Sequence, residues 1–185
     1  MAGQQKDPLE QGGFILNQKA YSANLGSFGR RGSMQKNACG PMAAYNAACM
    51  LGVPAPFEEV CGYFTAQSRL FQCFGGRLGT GPWAMRRWLI QRGIRATGFR
   101  QYRRAAAGHR AYVALYLHGS LWRGTLGAHY VALEYHAGRY LAYNDIFGSY
   151  MDFWDMYNKT GAKALWVMAL DLPAPGGAEP RPAGK

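Results

Sequence analysis

In the stretch "MQKNACGPMAAYNAACMLG", Met34 to Gly52, a cysteine stands directly before Gly-Pro and ahead of small and apolar residues. Pro41 belongs in the first turn of a helix, where its missing N–H would be unpaired anyway. Cys39 therefore falls at or just before a helix N-terminus. Unpaired N–H groups and the positive end of the helix dipole stabilise a thiolate there, so a thiol pKa of about 8.5 is expected to fall toward neutrality. Gly40 is expected to leave the space beside the sulfur free of a side chain. A nucleophile uses all of this, whereas a core thiol needs none of it.

A thiolate becomes a catalyst only with a base and a group that orients the base. The histidines are His109, His118, His129 and His136. His129 enters the strongest strand pattern of the chain, after "TLGA", where a side chain can project from a sheet end into a cleft. His118 ends the preceding strand next to Gly119 and is the competitor. His136 falls in a hairpin turn, and His109 sits among arginines in a loop.

The hairpin register bears on the orienter. If His136 to Gly138 form a three-residue loop with Gly138 left-handed, Tyr135 faces Arg139, Val131 faces Tyr143 and His129 faces Asp145. Directly opposed Cβ atoms lie about 4.5 to 5.5 Å apart, close enough for the Asp145 carboxylate to accept a hydrogen bond from the ring. A two-residue loop, Ala137-Gly138, puts Asn144 on the histidine's side instead.

The elements that must position these groups come as helices first and strands second. Helical spacing covers Pro41 to Leu51, with Gly52 just past the end, then Pro56 to Phe64 with Glu58 and Glu59 in its first turn, then Gly81 to Gly93. After Gly93 the period changes to that of strands: "IRATGFR", "AYVALYL", the two arms of "HYVALEYHAGRYLAYND", and a last "ALWVMALDL". "DFWDMYNKTG", from Asp152 to Gly161, reads as a short helix. This order predicts an α+β fold, with N-terminal helices packed on an antiparallel sheet. Residues 1 to 32 read as a loosely ordered arm, 33 to 171 as the folded domain, and 172 to 185 as a disordered Pro/Gly-rich tail.

The chain has 185 residues, of which 49% are hydrophobic, enough for one domain with a real core and no disulfide or metal support. No basic-then-apolar leader and no run of 18 apolar residues occurs, so no membrane span is expected. The expected location is cytoplasmic, with non-classical export as the alternative. Cys39, Cys49, Cys61 and Cys73 lack any Cys-x-x-Cys pair, and the last three read as ordinary buried thiols; no metal and no cofactor is expected. Trp83, Trp122 and Trp154 read as core residues, with the lining of a cleft as the alternative.

A net charge of +11 needs a partner or a solvated surface to account for it. It is densest from Arg86 to Arg110, where Arg86, Arg87, Arg92, Arg95, Arg100, Arg103, Arg104 and Arg110 interleave with Trp88, Phe99 and Tyr102. No nucleic-acid-binding signature accompanies them, which speaks against nucleic acid. A solvated arginine-rich face is the plainer reading, and a surface for an acidic partner is the other.

Three motifs in this order, Gln35-x-x-x-Cys39-Gly40-Pro41, His129-Tyr130-Val131-Ala132-Leu133 and Tyr143-Asn144-Asp145, resemble the papain-like cysteine peptidases. Within them the chain is most similar to the bacteriocin-processing, double-glycine leader peptidases and their stand-alone relatives. The resemblance runs roughly from Gln35 to Asp145. It implies a papain-like fold in which Cys39 is the nucleophile, His129 the base and Asp145 the orienter. Asn144 is the alternative orienter, because papain-like sites accept either residue type. Gln35 and the Cys39 N–H would stabilise the oxyanion. The chain departs from the family in two places: the family's glutamine commonly stands further before its cysteine, and Ile146 replaces the proline usual after the aspartate. The implied activity is hydrolysis of a peptide or protein amide bond through a thioester acyl-enzyme. The alternatives are another thiol-dependent acyl transfer (deamidation, transpeptidation, peptidoglycan amide cleavage) or a non-catalytic basic module that binds acidic protein or nucleic acid.

Overall fold

The computed structural model describes residues 13–18, 27–28, 32–71, 80–99, 109–118, 127–136, 139–144, 150–152 and 163–173. Two short strands, β1 (Ser27–Phe28) and β2 (Gly32–Ser33), pair antiparallel and lead into one helical turn, α1 (Met34–Asn37). Ser33 caps this turn by accepting a hydrogen bond from the Lys36 N–H. Three longer helices follow: α2 (Cys39–Met50), α3 (Phe57–Phe71) and α4 (Pro82–Gln91). Gly52, at φ +75°, ends α2 in a Schellman motif, with the Val53 N–H on the Ala48 carbonyl and the Gly52 N–H on that of Cys49. Glu58 and Glu59 occupy the first turn of α3, and Pro82 opens α4 after Gly81.

The strands β3 (Arg95–Phe99), β4 (Ala111–His118), β5 (Gly127–His136), β6 (Arg139–Tyr143), β7 (Tyr150–Asp152) and β8 (Lys163–Asp171) form one sheet in the order β3-β8-β4-β5-β6-β7. Every pairing among them is antiparallel. The fold is α+β, helices on an antiparallel sheet. β7 was not legible in the sequence: Asp152, read as the start of a helix, ends this strand, and the remainder of that segment lies outside the described residues. So do Cys73, Trp122, Trp154, Asp145 and the tail from residue 174 onward.

Side chains alternate across the sheet with period two. Ala111, Val113, Tyr130, Ala132, Met168 and Leu170 share a buried cluster with the helices. Tyr112, Ala114, Tyr116, Val131, Leu133, Val167 and Ala169 fill a second buried cluster. Burial on both faces is why "AYVALYL" is a continuous apolar run and not an alternating one. Helix α2 lies on β5 and β4, with α3 and α4 against it. All its residues from Cys39 to Ala48 are buried, and Ala43, Ala44, Ala47 and Ala48 let neighbouring backbones approach closely. A helix buried along this whole stretch, with Asn46 its one buried polar side chain besides the Tyr45 hydroxyl, belongs at the centre of a fold.

The described part of the segment read as a loosely ordered arm is packed. Ile15 and Phe28 belong to the core. Asn46, wholly buried on α2, accepts from the Ile15 N–H and donates to the Ile15 carbonyl, both at 2.8 Å. A buried amide can satisfy both backbone groups of a residue that has no strand partner. Local sequence pattern cannot reveal such a pairing.

Trp83, read as a core residue, is 67% exposed. The buried stripe of α4 runs through Ala84, Met85, Trp88 and Leu89, and position 83 falls off it. Two arginines of the basic segment have structural partners. Arg92 pairs with Glu59 and lies over the Trp88 ring at 5.2 Å, and Arg86 Nε donates to the Ala96 carbonyl at 3.2 Å. Arg100, Arg103 and Arg104 lie outside the described residues. Among the described residues no helix is long and apolar enough to cross a membrane.

Burial of thiols makes the fold sensitive to alkali. The Cys61 thiol is pushed up to about 12, first by burial and then by the charge of Glu58. Burial also raises the thiols of Cys39 and Cys49. In the unfolded chain each ionises near 8.5, so above that pH the folded state keeps protons that the unfolded state releases, and stability falls. Phenols join only near pH 10. Thermal melts are therefore expected to show a falling midpoint between about pH 8.5 and 10, and a shallower fall for Cys61→Ala. A wild-type midpoint that stays level over that interval would contradict this account.

Candidate active site

Cys39 is the first residue of α2, after Ala38, and no side chain caps the helix there. The Met42 N–H already bonds the Ala38 carbonyl at 3.0 Å, and Pro41 has no N–H. The first-turn donors left are those of Cys39 and Gly40. Both lower the thiol pKa, together with the N–H of Tyr130 on β5. Burial outweighs all three: the sulfur-bearing residue is only 6% exposed, and its pKa is raised. This corrects the expectation of a thiol pulled toward neutrality. The helix start is where the sequence placed it, but the fold presses it against β5 and out of water. Ionisation then depends on a neighbour that takes the proton.

The next structural feature is the beginning of β5. On one side β5 pairs with β4 as far as His118↔Gly127. On the other, its pairing with β6 stops at Ala132↔Tyr143. From Gly127 to Val131 the strand thus has one strand neighbour among the described residues, and the Tyr130 N–H there is the one that reaches the Cys39 sulfur. His129 is the adjacent residue. Its ring stands edge-on to Tyr116, with centroids 5.6 Å apart, and its Nε2 lies 2.7 Å from the backbone carbonyl oxygen of Asn144. A carbonyl only accepts, so Nε2 carries the hydrogen and Nδ1 holds the lone pair.

The β5–β6 pairs, from Ala132↔Tyr143 to His136↔Arg139, correct the favoured register. The loop is the two-residue Ala137-Gly138, and the arrangement in which Val131 faces Tyr143 is not adopted. Tyr140, Leu141, Ala142 and Tyr143 are all apolar and both sheet faces are buried, so hydrophobicity does not penalise a one-residue slip. The adopted register puts Asn144 on the histidine's side. Asn144 is the only non-glycine at positive φ among the described residues, at +60°. Its side chain is wholly buried and turned away from the ring. Its Oδ1 accepts from the Gln18 N–H at 2.8 Å, and its Nδ2 faces Gln18 Oε1 at 3.5 Å. Among the described residues, the group bonded to His129 Nε2 is therefore the Asn144 main-chain carbonyl, and Asp145 lies outside them.

Gln18 was missed by sequence reasoning. Its buried Nε2 donates to the carbonyls of Gln35, at 3.0 Å, and Met34, at 3.4 Å. "FILNQ" carries a short apolar signal for burial, but nothing local links it to a residue 126 positions away. Gln35, the sequence candidate for the oxyanion, is an exposed residue of α1.

The space beside Gly40 is occupied. A Cβ there would stand 2.3 Å from the Thr80 Oγ1. The hydroxyls of Thr80 and Tyr130 are buried without a hydrogen-bond partner among the described residues. The Tyr130 phenol is raised by burial and further by the charge of Cys39, which places both groups in one environment. His118 is seated over Gly127, where a Cβ would lie 2.7 Å from the ring, and burial lowers its pKa. His109 bonds Asp171 and stands edge-on to Tyr112.

No family model and no curated protein matches this chain. Among solved structures it is similar to the peptidase domain of Streptococcus ComA, a bi-functional ABC transporter involved in a quorum sensing pathway. The TM-score is 0.48 and the identity 11%, over 73% of this chain and 91% of that one. A likeness this distant assigns no role to any residue here.

The Gly40–Thr80 contact makes a prediction of its own. Gly40→Ala is expected to destabilise the fold by about 1 to 3 kcal/mol, the usual cost of overpacking. Adding Thr80→Gly should restore most of that loss, because the contact is with the Thr80 side chain. Denaturant midpoints of the two single variants and the double variant measure this, and a double variant no more stable than Gly40→Ala would refute it.

Proposed function

We propose that this protein is a papain-like cysteine peptidase that hydrolyses a peptide or protein amide bond. What carries the reading is the hydrogen bond from His129 Nε2 to the Asn144 carbonyl, at 2.7 Å, on a strand whose next N–H reaches the Cys39 sulfur. It leaves Nδ1 as the only ring nitrogen able to accept a proton.

In this mechanism Nδ1 of His129 takes the proton of Cys39 as the sulfur attacks the substrate carbonyl carbon. The imidazolium that forms strengthens the bond to Asn144, because a hydrogen bond from a charged donor is roughly twice as strong as a neutral one. The Cys39 N–H and the side-chain amide of Gln35 stabilise the developing oxyanion. The C–N bond breaks, the leaving amine takes the proton from His129, and a thioester remains on Cys39. Water, deprotonated by Nδ1, attacks the thioester; the acid leaves and the thiol is restored. Asp145, directly after Asn144, supplies the carboxylate of the triad. The other thiol-dependent acyl transfers share the first half of this sequence and differ in what clears the thioester.

Alkylation of Cys39 by iodoacetamide, located by peptide mass and followed against pH, tests the ion pair. Cys39 is expected to react well below its own buried pKa in the wild type and to lose that reactivity in His129→Ala. On a peptide substrate, Cys39→Ala should abolish hydrolysis with the fold retained, and His129→Ala should lower it about 10²- to 10⁴-fold. Equal labelling of Cys39 in wild type and His129→Ala would end the peptidase reading.

A further inference from the structure

We propose that Gln18 is a positioning residue of this site: acting through Asn144, it holds the carbonyl that sets the tautomer and direction of His129. The inference rests on the peptidase reading and adds a residue that its three motifs do not contain.

Asn144 has to leave β6 abruptly for its carbonyl to meet the imidazole, and it does so at φ +60°. A left-handed residue is costly even for asparagine and persists where its surroundings hold it. Gln18 supplies that hold, with its N–H on Asn144 Oδ1 at 2.8 Å and its Oε1 facing Asn144 Nδ2 at 3.5 Å. The ring of Phe14, four residues earlier, packs on that of Tyr143, immediately before Asn144, at 4.7 Å.

The other end of the brace is tied to the nucleophile's side. Gln18 Nε2 donates to the Gln35 and Met34 carbonyls in α1, the turn just ahead of Cys39. Ile15, on the same strap, is bonded through both its backbone groups to Asn46 of α2. The strap from Gly13 to Gln18 therefore crosses from the helix that carries the thiol to the residue that orients the base. Because the amide hydrogens of Gln18 are committed to main-chain carbonyls, its role differs from that of an oxyanion donor.

If the brace is broken, the Asn144 carbonyl no longer holds the hydrogen on Nε2. The tautomer with hydrogen on Nδ1 gains population, and that nitrogen can no longer receive the thiol proton. The test is the pH profile of Cys39 alkylation by iodoacetamide on the full chain, a reaction that forms no oxyanion. The variants are Gln18→Met, which keeps bulk and the backbone N–H on Asn144 Oδ1 but removes the side-chain bonds to Asn144, Gln35 and Met34, Asn144→Gly, which removes both bonds to Gln18 and keeps the left-handed backbone accessible, and their combination. Circular dichroism and melting accompany each.

Both single variants, folded at the assay temperature, are expected to move the alkylation midpoint up by about one pH unit, or about tenfold in rate at pH 7. The double variant should lose no more than the worse single one, since both act on one link. A wild-type profile in either single variant overturns the inference, as does additive loss in the double. Impaired peptide hydrolysis with unchanged alkylation also overturns it, because Gln18 would then act on the oxyanion. If Gln18→Met does not fold, Asn144→Gly alone decides by the same criterion. Absence of any His129 dependence in wild-type labelling is a different result, and it removes the peptidase reading together with this inference.

Discussion

The seating of an apolar helix, α2, on the central strands of the sheet decides how the candidate site works. Four alanines let α2 approach β4 and β5 closely, and the same approach carries its first residue to the part of β5 that β6 does not cover. There the Cys39 sulfur finds the Tyr130 N–H in addition to its own helix donors. Close seating also removes water from the thiol. A helix start that would favour a thiolate in an open position is outweighed by desolvation in a closed one. Charge separation at this sulfur becomes conditional on a proton acceptor.

On the proposed reading the acceptor is His129, and main-chain geometry prepares it. A backbone carbonyl accepts from His129 Nε2 and so fixes the hydrogen there. It favours the imidazolium when that forms and exerts only a dipole's pull beforehand. Such an orienter is as good as the chain's hold on it, and this chain turns left-handed at Asn144 to present it. The buried Asn144–Gln18 pair and the Asn46–Ile15 pair are both amide side chains closing on main-chain groups. Each satisfies polar groups that would otherwise be costly to bury. Together they place the N-terminal strap within the structure that supports the site.

Burial on both sides of the sheet explains much of what could and could not be read from the residues. The helices announced themselves through Pro82 at a start, Gly52 and Gly93 at ends, and Glu58 and Glu59 in a first turn, because these features act within a few positions. The strands were legible as apolar runs, and their order after the helices indicated the α+β class. Register was not. With Tyr140 to Tyr143 all apolar and both faces covered, a shift by one residue costs no burial, and the choice fell to the two-residue turn. Trp83 shows the converse: its residue type suggests a core, while its angular position on α4 lies off the buried stripe.

By itself the sequence determined that Cys39 opens a helix, that His129 lies near the start of a strand, and that the next strand stops just before Asn144. These are local properties, dictated by proline geometry, glycine caps and side-chain periodicity. Only the tertiary structure decided the rest: which face of β5 receives Asn144, that the Asn144 carbonyl meets the imidazole, that the thiol is buried, and that Gln18 bonds both Asn144 and the turn ahead of Cys39. Each depends on groups far apart in the chain coming within hydrogen-bond reach, and on the exclusion of water once they do. No pattern of neighbouring residues encodes either.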